Sequence, residues 1–369
     1  MLLSDYIDSD ELIYAINLGY VDVKTHPDFP ELRMYTYSRT AQWDGFWPDA
    51  VRKSRGLIAN YDTGEIVAFC MPKFFNKSEH DNGKDYASPL PDEWFRVYDK
   101  MDGSMGTVYH YADQWHVATK GSFLSDQAVK ATEMLRAADT RYLSTDKTYV
   151  VEIIYPDNRI VVDYGARHDL VLLTSYFVST GDELLHPVEW RWTGFSYVEE
   201  LVFHPETFRV GQLENLTKNG ISSGTEAEGF VVRFDSGLRV KLKFDEYLAL
   251  HKILTNCTER TIWEALHSQT DLAKFRENVP DEFDEWVART VWNIQDNVEH
   301  FMIEAENWFM NIVYKVGVDD RKAFALEAAK LNNPFKSAVF MLYDGKSIRD
   351  LAFKQCYPSA TKPFYEDDE

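Results

Sequence analysis

The sequence predicts an α+β fold, an antiparallel-sheet domain followed by an all-α C-terminal domain. Two observations carry this. Residues of about 33–245 fall into short apolar runs of strand length separated by turns rich in Gly, Asp or Asn. Beyond about residue 250 the apolar spacing lengthens to that of a helical stripe.

In chain order, RGLIANYDTGEIVAF (55–69), GTVYHYADQWHVATK (106–120), TYVVEIIYPDNRIVVDY (148–164), DLVLLTSYFVS (169–179) and EGFVVRFDSGLRVKLKF (228–244) each read as one strand or two strands joined by a turn. Ser125–Ala138 reads as a helix among them. From Glu282 to Val316, apolar residues at Phe283, Trp286, Val287, Val291, Ile294, Val298, Phe301, Met302, Ala305, Phe309 and Ile312 trace one helix face. Unbroken, that helix runs ~50 Å at ~1.5 Å per residue. Residues 320–332 and 335–343 read as helical too, and the acidic tail Tyr365–Glu369 as frayed. The domain boundary is placed at 250, give or take ten residues.

Composition narrows the function class. The chain has 369 residues, 45% apolar, 15% aromatic and 27% charged, which excludes a disordered, collagen-like or coiled-coil rod protein. It holds 39 basic and 60 acidic residues, a net charge of −21. That argues against a protein coating nucleic acid by charge alone, but not against an enzyme binding phosphates in one local basic cleft. There is no apolar run of membrane-spanning length. The opening MLLSDYIDSDELIY lacks a basic n-region, so a cytoplasmic setting is expected. The three cysteines, Cys70, Cys257 and Cys356, are far apart and have no metal-ligand spacing.

The strongest short signal is Lys100-Met101-Asp102-Gly103-Ser104, placed between two predicted strands. A lysine at a strand end before a glycine turn is either an exposed charge or a group held close to a ligand. Lys241 and Lys243 lie two apart on one predicted strand and so share a face. They are either a solvated edge or a paired cation site. Glu228 leads the strand Phe230–Val232, and Glu152 interrupts the apolar run 149–154. Arg55 precedes one strand and Lys73 follows another.

In their order and spacing, SRGL, KFFN, KMDGS, TKGS, VEIIYPDNRIV, EGFVV and VKLK resemble the covalent nucleotidyltransferase superfamily, and more narrowly the bacteriophage RNA ligase 1 family. DRKAFALEA (320–328) resembles that family's C-terminal helical domain. The resemblance implies a nucleotidyltransferase domain, the adenylyltransferase, over 1–250 and a helical domain tuning RNA-substrate specificity over 251–369. It implies ATP-dependent joining of an RNA 5′-phosphate to a 3′-hydroxyl, with Lys100 forming a lysyl–AMP and the AMP then passing to the RNA end. A free lysine titrates near ~10.4, so neighbouring cations and burial are needed to make it nucleophilic. Lys241, Lys243 and Arg55 are the available cations, and they would also bind the α-phosphate.

By the same resemblance, Lys73 holds the outer phosphates, Glu152 bonds the ribose and Lys120 lines the active-site cleft. Tyr37 is either near the nucleotide or a core aromatic. Glu228 is the expected metal-linked carboxylate, with Asp271 a second metal candidate. Asp102 is either structural or metal-linked. The expected cofactors are ATP and Mg2+, with Mn2+ as a substitute. The expected partners are RNA ends, as single-stranded RNA or broken tRNA, with no membrane and no obligate protein partner. Two alternatives stay open. A DNA ligase or capping guanylyltransferase would need an OB domain of short strands after VKLK, where this sequence turns helical. A noncatalytic RNA-end-binding protein with a ligase fold need not keep Lys100, Glu228, Lys241 and Lys243.

Overall fold

The computed structural model describes residues 1–201, 213, 227–245, 247–248, 258–269 and 284–358. The chain forms two compact units, Met1–Leu254 and Thr255–Glu369. The first is α+β with antiparallel sheets and the second is helical among its described residues.

The first unit opens with helices α1 (Leu3–Tyr6) and α2 (Ser9–Asn17) and strands β1 (Val21–Thr25) and β2 (Leu32–Tyr37). Next come α3 (Arg39–Trp43), α4 (Asp49–Lys53), β3 (Arg55–Asn60), β4 (Ile66–Ala68), β5 (Phe75–Asn76) and α5 (Lys77–Asp81). Then follow β6 (Phe95–Lys100), β7 (Ser104–Tyr111), β8 (Gln114–Thr119), α6 (Asp126–Ala137), β9 (Lys147–Ile154) and β10 (Asp169–Phe177). The last described strands are β11 (Glu183–Leu184), β12 (Glu200–Leu201), β13 (Gly229–Phe234) and β14 (Arg239–Lys243).

They build three sheets, in the orders β1-β2-β3-β4, β11-β10-β9-β7-β8 and β12-β6-β13-β14-β5. Neighbours are antiparallel throughout, except the parallel pair β14–β5. Strand β9 carries the unbroken run Thr148–Ile154, and every one of those residues is buried. That is the burial expected of an interior strand covered on both faces. Helix α6 starts where Ser125 accepts a hydrogen bond from the Ala128 N–H at 3.2 Å. It buries Ala128, Ala131 and Leu135.

Of the two readings left open for TYVVEIIYPDNRIVVDY, the single strand is the one that forms, and residues 159–163 join no ladder. The backbone N–H groups of Val161 and Val162 donate instead to Asp102 Oδ2, at 2.8 and 2.7 Å. Donors committed to a side chain are lost to a sheet.

In the second unit, the helix Asp284–Val316 is continuous over 33 residues. Trp286, Val287, Val291, Ile294, Val298, Phe301, Ala305 and Ile312 are its buried stripe. Helices Glu259–His267, Arg321–Ala328, Phe335–Tyr343 and Arg349–Gln355 each pack against it. Asp320 caps the helix that starts at Arg321, accepting from the Lys322 and Ala323 N–H groups at 3.0 Å each. Among the described residues no helix is long and apolar enough to cross a membrane.

Candidate active site

The site begins with strand register. Gly229 is paired with Lys100 of β6 on one side and with Lys243 of β14 on the other. Its φ is +146°, and a Cβ there would lie 2.0 Å from the Leu242 carbonyl oxygen. Only glycine lets the three strands close at this row. Glu228, one residue earlier, reaches both lysines: Oε2 lies 2.7 Å from Lys100 Nζ and Oε1 lies 2.7 Å from Lys243 Nζ. Burial alone would raise the Glu228 carboxyl, but Lys100 and Lys243 outweigh it and hold it below the usual carboxylate value.

One register step further, Val231 is flanked by Tyr98 and Lys241. The alternative of a solvated edge strand for Lys241 and Lys243 fails. The two-residue strand β5 pairs outside β14, placing it inside the sheet, and the Lys241 side chain is buried. Its Nζ lies 5.6 Å from the Phe74 ring centroid, and the Arg55 guanidinium lies 5.3 Å from the same ring.

Glu152 of β9 stands on the facing wall, buried rather than on a wet strand face. Its Oε1 accepts from the Gly103 N–H at 3.1 Å. A Cβ at Gly103 would meet the Ile153 carbonyl oxygen at 2.7 Å, so the turn after Lys100 needs its glycine. Burial pushes the Glu152 carboxyl up to about 7, with Lys100 opposing the rise and Glu228 adding to it. Between these walls lies a cavity of about 240 Å³, whose lining includes Arg55, Lys100, Glu152, Val231, Arg239 and Lys241.

A second group of cations surrounds Tyr37. Lys120 Nζ lies 4.1 Å from its ring centroid and Lys73 Nζ lies 5.5 Å from it. Lys73 is buried and also lies 5.0 Å from the Trp47 ring. Tyr37, Lys73 and Lys120 do not line the cavity itself. The adjacent residues Lys73 and Phe74 join the two groups, one turned to Tyr37 and the other to Arg55 and Lys241.

Asp102 is a buried hydrogen-bond acceptor. Besides the two backbone donors of Val161 and Val162, its Oδ1 accepts from the Tyr247 hydroxyl at 2.7 Å. Three donors on a buried carboxylate leave little capacity for a metal. Asp271 lies outside the described residues. Among the described residues no group of three His, Cys, Asp or Glu could hold a metal ion. With Glu228 bridging two ammoniums, the described side chains alone do not make a metal site.

Some contributors were not singled out in the sequence: Phe74, Trp47, Val231, Tyr247 and the Arg233–Glu183–Arg239 cluster. Phe74 and Val231 sat inside quoted motifs, KFFN and EGFVV, as apolar letters. Arg233 and Arg239 lay in the run EGFVVRFDSGLRVKLKF with no role attached, and nothing in the sequence marked Trp47, Tyr247 or Glu183.

A family model described as RNA ligase matches residues 53–248, more than half of the chain. The chain belongs to the phage RNA ligase 1 family. A protein of Autographa californica nuclear polyhedrosis virus, by name a bifunctional polynucleotide kinase/RNA ligase, is 28% identical to this family member over 227 residues. The match takes in 55% of this chain and 31% of the viral protein, so the chain spans about a third of that relative's length. Among solved structures, the fold is similar to an archaeal ATP-dependent RNA ligase, at 15% identity and a TM-score of 0.45 over 78% of this chain and 77% of that one. It is also similar to a protein assigned as an ATP-dependent DNA ligase from Aquifex aeolicus, at 15% and 0.46 over 80% and 81%. A Naegleria gruberi RNA ligase with ATP and Mn matches at 20% and 0.34 over 44% and 52%.

Proposed function

We propose that this protein is an ATP-dependent RNA ligase that seals RNA 5′-phosphate and 3′-hydroxyl ends. The observation that carries the reading is the Lys100 amine, held by Glu228 at 2.7 Å beside a cavity that Arg55 and Lys241 also line. A nucleophile, two phosphate-binding cations and a buried carboxylate opposite are the parts that nucleotidyl transfer to lysine requires.

In the first step the Lys100 amine attacks the α-phosphorus of ATP. A P–N bond forms, the bond to the β-phosphate oxygen breaks, pyrophosphate leaves with its electron pair, and the amine passes its proton to solvent water. Arg55 and Lys241 take up the negative charge that grows on the α-phosphate oxygens. Glu228 orients Lys100 and Lys243 together, and Glu152 receives the ribose hydroxyls. Lys73 and Lys120 beside Tyr37 hold the outer phosphates. AMP then passes to an RNA 5′-phosphate, and an RNA 3′-hydroxyl attacks that phosphate with release of AMP.

A divalent cation, Mg2+ or Mn2+, would enter with the nucleotide phosphates and neutralise their charge, and Glu228, if released from its lysines, would be the carboxylate to hold it. The helical unit would select the RNA, single-stranded ends or broken tRNA, and a cytoplasm is the expected setting.

The experiment is incubation with ATP labelled at the α-phosphate plus magnesium, beside Lys100→Ala. Label retained on the wild type and absent from the variant is the expected result. No label on the wild type, at several pH values and with manganese as well, would remove the ligase reading.

A further inference from the structure

The register of β6, β13 and β14 lays one cavity wall out in rows two residues apart, roughly 6.6–6.8 Å. Lys100, Gly229 and Lys243 make the first row, and Tyr98, Val231 and Lys241 the second. Arg96, Arg233 and Arg239 make the third. The chemistry proposed above occupies the first row and the cations around it, and the third is left without a role.

There the facing sheet supplies Glu183 from β11. Its carboxylate accepts from Arg233 at 2.8 Å, from Arg239, and from the Thr174 hydroxyl at 2.5 Å. The three charged side chains are only 10–17% exposed. One carboxylate shared by two guanidiniums leaves a unit of positive charge, and of these three residues it is Arg239 that lines the cavity, with Val231 and Lys241.

We infer that Arg239 reads the edge of the nucleobase farthest from the sugar and so determines nucleotide specificity, with Glu183 as its positioning residue. The inference rests on the lysyl–AMP reading for the direction in which the nucleotide lies. With the α-phosphate at Lys100 and the ribose at Glu152, the base sits over Val231 in the second row. The six-membered ring of a purine then points away from the sugar toward the third row. A guanidinium carries donors only. Adenine presents its acceptor on that edge at N1, whereas guanine carries a hydrogen at N1 and presents its acceptor one position along, at O6, so a guanidinium held opposite N1 favours adenine. Glu183 fixes the guanidinium from behind, so the row is set for adenine before the nucleotide arrives.

The test is calorimetric titration of the full chain, without divalent metal, using ATP and 1-deaza-ATP, in which C–H replaces N1. A hydrogen bond from a charged donor sets the scale at about tenfold or more in Kd. Wild type is expected to bind 1-deaza-ATP at least about tenfold more weakly than ATP. Arg239→Met should bind ATP about as weakly as wild type binds the analogue, and should no longer tell the two apart. Equal affinity of wild type for both nucleotides overturns the inference, and this comparison uses no variant that might misfold. A variant that weakens binding yet still discriminates overturns it too. Label retention from ATP, measured separately, tests the ligase reading: discrimination without a covalent adduct supports the base contact and removes only the lysyl–AMP chemistry.

Discussion

Lys100 Nζ stands 2.7 Å from Glu228 Oε2, with the lysine side chain 20% exposed and the glutamate 4%. A pair so withdrawn from water costs more to break than a surface ion pair. Glu228→Gln leaves Lys100 and Lys243 facing a neutral amide. The expected outcome is loss of the covalent AMP adduct and a stability lower by about 3 kcal/mol, read from urea midpoints at pH 7. Because the folded-state value of Glu228 is depressed, its contribution is present above the ordinary value of 4.5 and is lost as pH falls through the lower folded value. The stability gap between variant and wild type should therefore close on acidification below about 4.5. A gap that stays constant with pH would contradict the ion-pair account.

Glu152 has the opposite sign. Its folded-state value of about 7 lies above the ordinary 4.5, so the folded chain keeps a proton that the unfolded chain releases. Stability from this group is complete below pH 4.5 and declines as pH rises from 4.5 to about 7. At about 1.4 kcal/mol per pH unit the decline is on the order of 3 kcal/mol. Glu152→Gln should flatten that part of the curve relative to wild type, as thermal melts across the interval would show.

Asp102→Asn tests the structural role of the buried carboxylate. An amide keeps one acceptor but turns its NH2 group toward the donors of Val161, Val162 or Tyr247. A loss of about 2–4 kcal/mol is expected, since each buried donor left unmet costs about 1–3 kcal/mol. Tyr247→Phe removes one of the three donors and should cost less. The metal concentration that supports adduct formation should not move in either variant. A large shift there in Asp102→Asn would return Asp102 to metal binding.

Gly229→Ala places a methyl group 2.0 Å from the Leu242 carbonyl oxygen at a φ of +146°. The strands must separate or the turn must move, at a cost of roughly 3 kcal/mol or more. Adduct formation should fall with stability, whereas Gly237→Ala, strained by a φ of +89° but with nothing within 4 Å of its Cβ, should cost some stability and spare the adduct. Equal effects of the two substitutions on adduct yield would remove the packing argument.

The sequence made part of this arrangement legible. Asp235-Ser236-Gly237 between two apolar runs marks the β13–β14 hairpin, and Lys100 stands at the strand end where the pattern placed it. The change of period near residue 250 separates sheet from helix, because periods of 2 and 3.6 bury different faces. Other features were hidden. Asp102 finds its partners 59, 60 and 145 residues away, and no local pattern reports a hydrogen bond across such distances. Val161 and Val162 carry strand-forming side chains, yet their N–H donors are taken by that same carboxylate. The edge reading of Lys241 and Lys243 failed on β5, a strand of two residues that is too short to show any period. The rows across β6, β13 and β14 depend on register, which no single strand encodes alone.

The same rows restrict how such a chain can change length over evolution. A residue inserted within β13 would rotate everything beyond it to the opposite side of the pleat. Depending on where it fell, Glu228 would be cut off from its two lysines, or Val231 would face away from the cavity while the strand still looked intact. Insertions and deletions are tolerable at the hairpin tip Asp235–Gly237, where added residues change no pairing upstream. Relatives in this family should therefore vary freely in tip length while keeping a single residue between Gly229 and Val231, and a single residue between Lys241 and Lys243.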